Sequence, residues 1–184
     1  MQFDMKCLIM AIFPIITFAQ VNNKEIQENF TNTLNTYRLA NGLTPVKINL
    51  DVQESAKIQS DYLVSTLTKK PEGGIKYLCG HIHPLYPNPS DRLAEINPDL
   101  EESCLVYENA ATTFLDTPTS TIIADKFFEL WKSSTLHNQN LLAEVDAIGL
   151  AVSYNSITII FPGFEDQPYT YNLYSGVLVL IKNQ

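Results

Sequence analysis

Apolar positions along the chain change period several times, and each change marks an element. From about Lys24 to Ala40, Ile26, Phe30, Leu34, Tyr37 and Leu39 recur close to helical spacing and predict a first helix with one apolar face. Asn41-Gly42 ends it, because glycine accepts the left-handed conformation of a helix C-terminus. A second helix is expected from Asn49, as N-cap, to about Leu67, with Val52, Ala56, Ile58, Gln59 and Leu63 among its inner positions. Residues 71–103 are rich in Pro, Gly and Asn and read as a long ordered loop with a short helix around Ser90–Ile96. A third helix is predicted with Thr117 as N-cap and Pro118 at its first position, lined by Ile123, Phe127, Leu130 and Trp131. Strand patterns rich in Ile, Val and Leu follow at Ala147–Ser153, Ser156–Phe161 and Gly176–Ile181, with Tyr154-Asn155-Ser156 as a hairpin turn. Helices first and strands last, without strict alternation, predict an α+β sandwich.

The first stretch of the chain has no such periodicity. Apolar residues run from Cys7 to Ala19 directly after Lys6, covering every helical face. The run falls short of the ~20 residues a membrane-spanning helix needs. It closes on Thr17-Phe18-Ala19, the small-residue spacing of a signal-peptidase site. Residues 1–19 are therefore expected to be a cleavable secretory leader, and residues 20–184 one domain, secreted or periplasmic. A start at Met5 would remove the odd Asp4 from the leader.

Charge and cysteines narrow the picture further. The net charge of −8, with no Lys/Arg cluster, argues against nucleic acid and anionic membranes as partners. No later apolar stretch is long enough to cross a bilayer. Without Cys7, only Cys79 and Cys104 remain, and in an oxidising compartment a disulfide between them is the default. Closing its loop of about 26 residues would contribute ~3–4 kcal/mol in the chain-entropy model. Two buried free thiols are the alternative.

The three histidines lie in two segments, Cys79-Gly-His81-Ile-His83-Pro and Trp131-Lys-Ser-Ser134-Thr-Leu-His137. Four pieces now stand in order. They are Leu34-Asn35-Thr-Tyr37-Arg38-Leu-Ala-Asn41-Gly42-Leu43-Thr-Pro45; His81 followed by Pro89-Ser-Asp91-Arg92-Leu93; Glu108-Asn109-Ala110-Ala111; and Trp131-x-x-Ser134-x-x-His137-x-x-Asn140-Leu141-Leu142. Together, over about residues 30–150, they resemble the CAP superfamily of cysteine-rich secretory, antigen-five and pathogenesis-related proteins, in its bacterial form. The resemblance implies a three-layer α-β-α sandwich around a mostly antiparallel sheet. It also implies a cleft holding two His and two acids, carried over as His81, His137 and Glu108. The fourth position is Ser134 here, where eukaryotic members have Glu. Tyr107 and Asn138 are two further departures from the family pattern.

Two imidazoles and one carboxylate form a conceivable first shell for Zn²⁺ or another divalent metal, with His81 and His137 as nitrogen ligands. They could equally hold one another by hydrogen bonds. His83 would face the same side as His81 in an extended segment and is expected on the rim. A bridge from Cys79 to Cys104 would tie together the two segments that deliver His81 and Glu108. A Ser134–His137 nucleophile lacks the strained Gly-x-Ser-x-Gly turn, and a Cys79–His81 pair is lost if the disulfide forms. Phe161, Phe164, Tyr169, Tyr171 and Tyr174 read first as a hairpin loop packing its own rings. An aromatic wall for a sterol-like or glycan ligand is the second reading.

Two functions follow from the resemblance. The first is a secreted, non-enzymatic domain that binds a small molecule, lipid, glycan or protein through the His/Glu cleft. The alternative is a metal-dependent, peptidase-like hydrolase with Glu108 as the base acting on a metal-bound water.

Overall fold

The computed structural model describes residues 22–71, 74–116 and 118–184. The expected leader, Cys7 and Thr117 lie outside them. Among the described residues, six helices and six strands run in the order α1 (Asn23–Ala40), β1 (Lys47–Ile48), α2 (Leu50–Ser65), β2 (Thr68–Lys69), β3 (Ile75–Lys76), α3 (Pro89–Ile96), α4 (Pro98–Glu102), β4 (Cys104–Phe114), α5 (Ser120–Ser133), α6 (Thr135–Leu141), β5 (Ala147–Ile159) and β6 (Tyr169–Asn183). The main sheet has the order β1-β5-β6-β4. β6 is antiparallel to both long neighbours, and the two-residue β1 is parallel to β5. α1, α5 and α6 cover one face and α2 with α3 the other, which is the α-β-α sandwich expected.

Each long helix forms for local reasons legible in its sequence. α1 buries Ile26, Phe30 and Leu34 at helical spacing, and it stops where Gly42 takes φ 76° after the Asn41 C-cap. Leu39, expected on the inner face, is instead exposed beyond the apolar stripe. α2 starts at the Asn49 cap, whose side chain accepts from Asp51 N and Val52 N. It lies directly on β5 at Gly149, where a Cβ would stand 2.1 Å from the Gln53 amide nitrogen. Asn88 and Asp91 form a capping box at the start of α3.

β1 is too short to cover β5, so α1 side chains take over along that edge. Gln27 Oε1 accepts from Leu150 N, and Asn23 pairs with both the N–H and the carbonyl of Val152. An open strand edge is thereby satisfied without another strand. The sequence pieces around α1 have a similar explanation. Asn35 bonds both backbone groups of Val46, and the buried Arg38 guanidinium donates to the carbonyls of Thr44, Leu141 and Ala143.

Three expectations about the elements are corrected. α5 is capped by Thr119, whose hydroxyl accepts from Ile122 N, so Pro118 precedes the helix. β5 runs straight through Tyr154-Asn155-Ser156, and the hairpin turns at residues 160–168 instead. The turn-forming character of that tripeptide is overridden because Tyr154 packs on Tyr174, at 4.9 Å between ring centroids, and Asn155 Nδ2 donates to Val64 O. β4 was not foreseen as a strand, so the strands do not all follow the helices. Its pattern is blurred because both faces of the strand are largely covered.

Candidate functional site

The candidate cleft forms at β4, the edge strand opposite β1. Successive residues of a strand face opposite sides, which explains the Glu108-Asn109 pair. Glu108 points to the α3 side, where it meets Arg92 and His81, and Asn109 to the α6 side, where Nδ2 donates to His137 O at 3.0 Å. Asn140 Nδ2 bonds Glu108 O at 3.2 Å and Asn109 Oδ1 at 2.8 Å, fixing α6 to the strand. One imidazole therefore arrives from each side of the sheet, and the rings of His81 and His137 stand 6.3 Å apart.

Glu108 is the buried centre of the arrangement. Its side chain is 2% exposed, and both carboxylate oxygens are occupied. Oε1 lies 2.9 Å from His81 Nδ1, and Oε2 is ion-paired with Arg92 Nη2. Arg92 is itself fully buried, and its Nη1 donates to the carbonyls of His81 and Tyr86. Gln59 Nε2 holds the adjacent Gly80 carbonyl at 2.9 Å. His81 is thus fixed at its backbone by Arg92 and at its ring by Glu108, while its side chain stays 48% exposed. His137 is half-buried; burial, then the neighbouring charge of His81, lowers its pKa from the usual value.

Each expected site residue has a definite place. His81, Glu108 and His137 converge. Ser134 is half-buried at the junction of α5 and α6, and among the described residues no hydrogen bond joins its hydroxyl to His137. His83 is not on the rim. Its ring is buried between Tyr62 and Tyr86, at 4.8 and 5.3 Å, and Nδ1 accepts from Leu85 N and Tyr86 N. The chain turns at His83, so the extended-segment argument does not apply there. Burial, then the charge of Arg92, lowers the His83 pKa.

The disulfide is corrected too: Cys79 and Cys104 are free thiols. Tyr77 packs on Phe114, at 5.4 Å between centroids, and His81 meets Glu108, so residue 79 sits alongside the Glu108–Phe114 half of β4. Cys104 lies four residues beyond Glu108 in the other direction, ~13 Å further along the strand. No S–S bond joins it to Cys79. Cys104 is buried in the apolar layer, its Sγ 3.3 Å from Asn183 Oδ1.

The residues do not fit the three-ligand metal shell. Among the described residues no three His, Cys, Asp or Glu side chains are arranged to hold a metal ion. The physical reason is that Glu108 already has a guanidinium on one oxygen and an imidazole on the other. Arg92 is the functional residue whose role the sequence reading missed. A signal existed, since an arginine inside a short amphipathic helix is buried only when paired.

The aromatic segment does not pack solely on itself. Tyr169 and Tyr171 continue through Phe114 to Tyr77 in a chain of edge contacts at 4.7, 5.9 and 5.4 Å. Tyr174 is buried, and Phe161 and Phe164 are exposed.

A three-layer α-β-α sandwich with paired histidines at the edge strand defines a class, and comparison with known proteins names it. Residues 31–159 match the sequence profile of the cysteine-rich secretory protein family, CAP. The chain belongs to that family. A search of curated proteins returned no match. Two solved structures share the fold. An outer surface protein of Borrelia burgdorferi superimposes with a TM-score of 0.54 at 15% identity, over 89% of this chain and 97% of that one. An extracellular SCP-domain protein of Bacillus anthracis gives 0.54 at 17% identity, over 90% of this chain and 43% of that one. The chain therefore spans less than half of the Bacillus protein.

Proposed function

We propose that this CAP domain, residues 20–184, is exported behind a cleavable leader at residues 1–19. In this reading it binds a small ligand, lipid, glycan or protein partner, without turnover, through the cleft of His81, Glu108, Ser134 and His137. The observation that carries it is the occupancy of Glu108. A carboxylate held on both oxygens by Arg92 and His81 is not free to act as a base on water, so its work is to hold the imidazole that faces outward. Ile82, Leu85 and Leu136, next in the chain to the cleft segments, are 75%, 75% and 73% exposed. Apolar side chains beside hydrogen-bonding imidazoles suit a ligand with both a polar group and an apolar body. An extracellular place is supported by the leader pattern of residues 1–19.

The test is a panel of fatty-acid, sterol, glycan and peptide probes added to exported protein, read from the His81 and His137 ring resonances. At least one probe should give a saturable shift that His81→Ala and His137→Ala abolish. Peptide and ester hydrolysis should stay at background. Turnover lost in both variants would overturn the reading, and an exported chain not beginning at Gln20 would overturn the leader assignment.

A further inference from the structure

We infer that Arg92 is the cleft's built-in cation: it stands where a divalent metal would neutralise Glu108, and the cleft thereby selects against such metals. The inference concerns the cleft of the proposed binding function, but it is carried by the buried ion pair and not by any ligand.

The geometry leaves Arg92 little freedom. Its side chain is 0% exposed, Nη2 is on Glu108 Oε2, and Nη1 donates to two carbonyls, those of His81 and Tyr86. Swinging the guanidinium away would leave three acceptors without their donor in a buried place. The capping box of α3 sets the helix start, so Arg92 enters the layer one turn in. An incoming cation would therefore meet a neutral ion pair with neither carboxylate oxygen free to coordinate it.

The other carboxylate oxygen points to the same conclusion. An ionised Glu108 only accepts hydrogen bonds, so His81 Nδ1, at 2.9 Å, is the nitrogen that carries the proton. Among the described residues, that leaves two imidazole ligands at the cleft, His81 Nε2 and the His137 ring, one fewer than the three protein ligands of catalytic zinc sites. Two imidazoles backed by a neutral, fully occupied ion pair suit an uncharged group better than a dication.

The experiment is a calorimetric Zn²⁺ titration of the purified domain as wild type, Arg92→Met and the double variant Arg92→Met/Glu108→Gln. The double variant, which removes the neutral pair whole, should leave the Zn²⁺ affinity within about twofold of wild type. Arg92→Met, which frees the carboxylate and removes the neighbouring positive charge, should tighten it about tenfold or more. An affinity that falls about tenfold in the double variant, or does not rise in a folded Arg92→Met, would overturn the inference. If the variants do not fold, the wild type decides by itself. The ¹³C carboxylate resonance of Glu108 should not move through one equivalent of Zn²⁺, and a saturating shift there would contradict the assignment. These readouts concern metal alone, so their failure is separable from a failure of the probe panel.

Discussion

The two helical layers solve the same packing problem with different materials. On the α1/α5/α6 side the sheet is covered by large rings: Phe30 stands edge-on to Trp131 at 5.5 Å and to Phe128 at 6.0 Å, and Phe127 lies 5.6 Å from Trp131. The buried polar side chains of α1 there, Gln27, Thr31 and Arg38, all bond backbone groups. On the α2/α3 side the buried apolar residues are smaller, mainly Val, Ala and Leu, with no aromatic ring fully inside. Buried polar side chains there bond backbone groups too, but two pairs also meet each other: Arg92 with Glu108, and Ser60 with Ser153. One layer holds the sheet together, and the other leaves room beside β4 for a charged constellation that the first steadies through Asn140.

The difference is sharpened first by single truncations. Trp131→Ala should destabilise the domain by about 3–5 kcal/mol through transfer and cavity terms, seen as a drop in denaturant midpoint. Arg92→Met should cost a similar ~3–5 kcal/mol, because Glu108 is left as an unpaired buried charge. The two should part on repair. Glu108→Leu added to Arg92→Met removes the orphan charge and recovers most of the loss, since replacing a whole buried pair with apolar groups is near neutral. A second large-to-small change beside Trp131 can only deepen the cavity.

Acid provides a smaller effect of known sign. His83 and His137 have lowered pKa values in the folded state, so below the unfolded value of about 6.5 the unfolded chain binds more protons than the native one. Stability is therefore flat above that pH with respect to these groups and falls as pH drops beneath it. Urea unfolding at stepped pH should show the slope, and His83→Phe, which keeps a ring between Tyr62 and Tyr86, should reduce it. A slope unchanged in that variant would remove His83 from the account. Smallest is the strap between layers. Asn140→Ala and Asn109→Ala should each cost about 1–2 kcal/mol and lower the hydrogen-exchange protection of α6 before that of β5.

How much was legible in the sequence depends on whether the signal was local. The caps at Asn49 and Gly42, the apolar face of α1 and the short helix at Pro89–Ile96 are local and were foreseen. The convergence of His81, Glu108 and His137 came only through the resemblance to the CAP superfamily, because nothing in their spacing brings them together. β4 escaped because both its faces are largely covered, and the false turn at Tyr154 because its aromatic ring finds Tyr174 on the neighbouring strand. His83 was misplaced and the disulfide wrongly expected for one shared reason. Both depended on the path of residues 77–86 across β4, which Arg92, Gln59 and Phe114 determine from other elements.

The central claim is that Glu108 belongs to Arg92 and to His81, and a double-mutant cycle between Arg92→Met and Glu108→Leu measures the first of these bonds directly. The structure predicts a coupling of about 4 kcal/mol or more, with the double variant far more stable than the sum of the singles allows. Additivity to within about 0.5 kcal/mol would mean the two side chains do not meet, and would contradict the account.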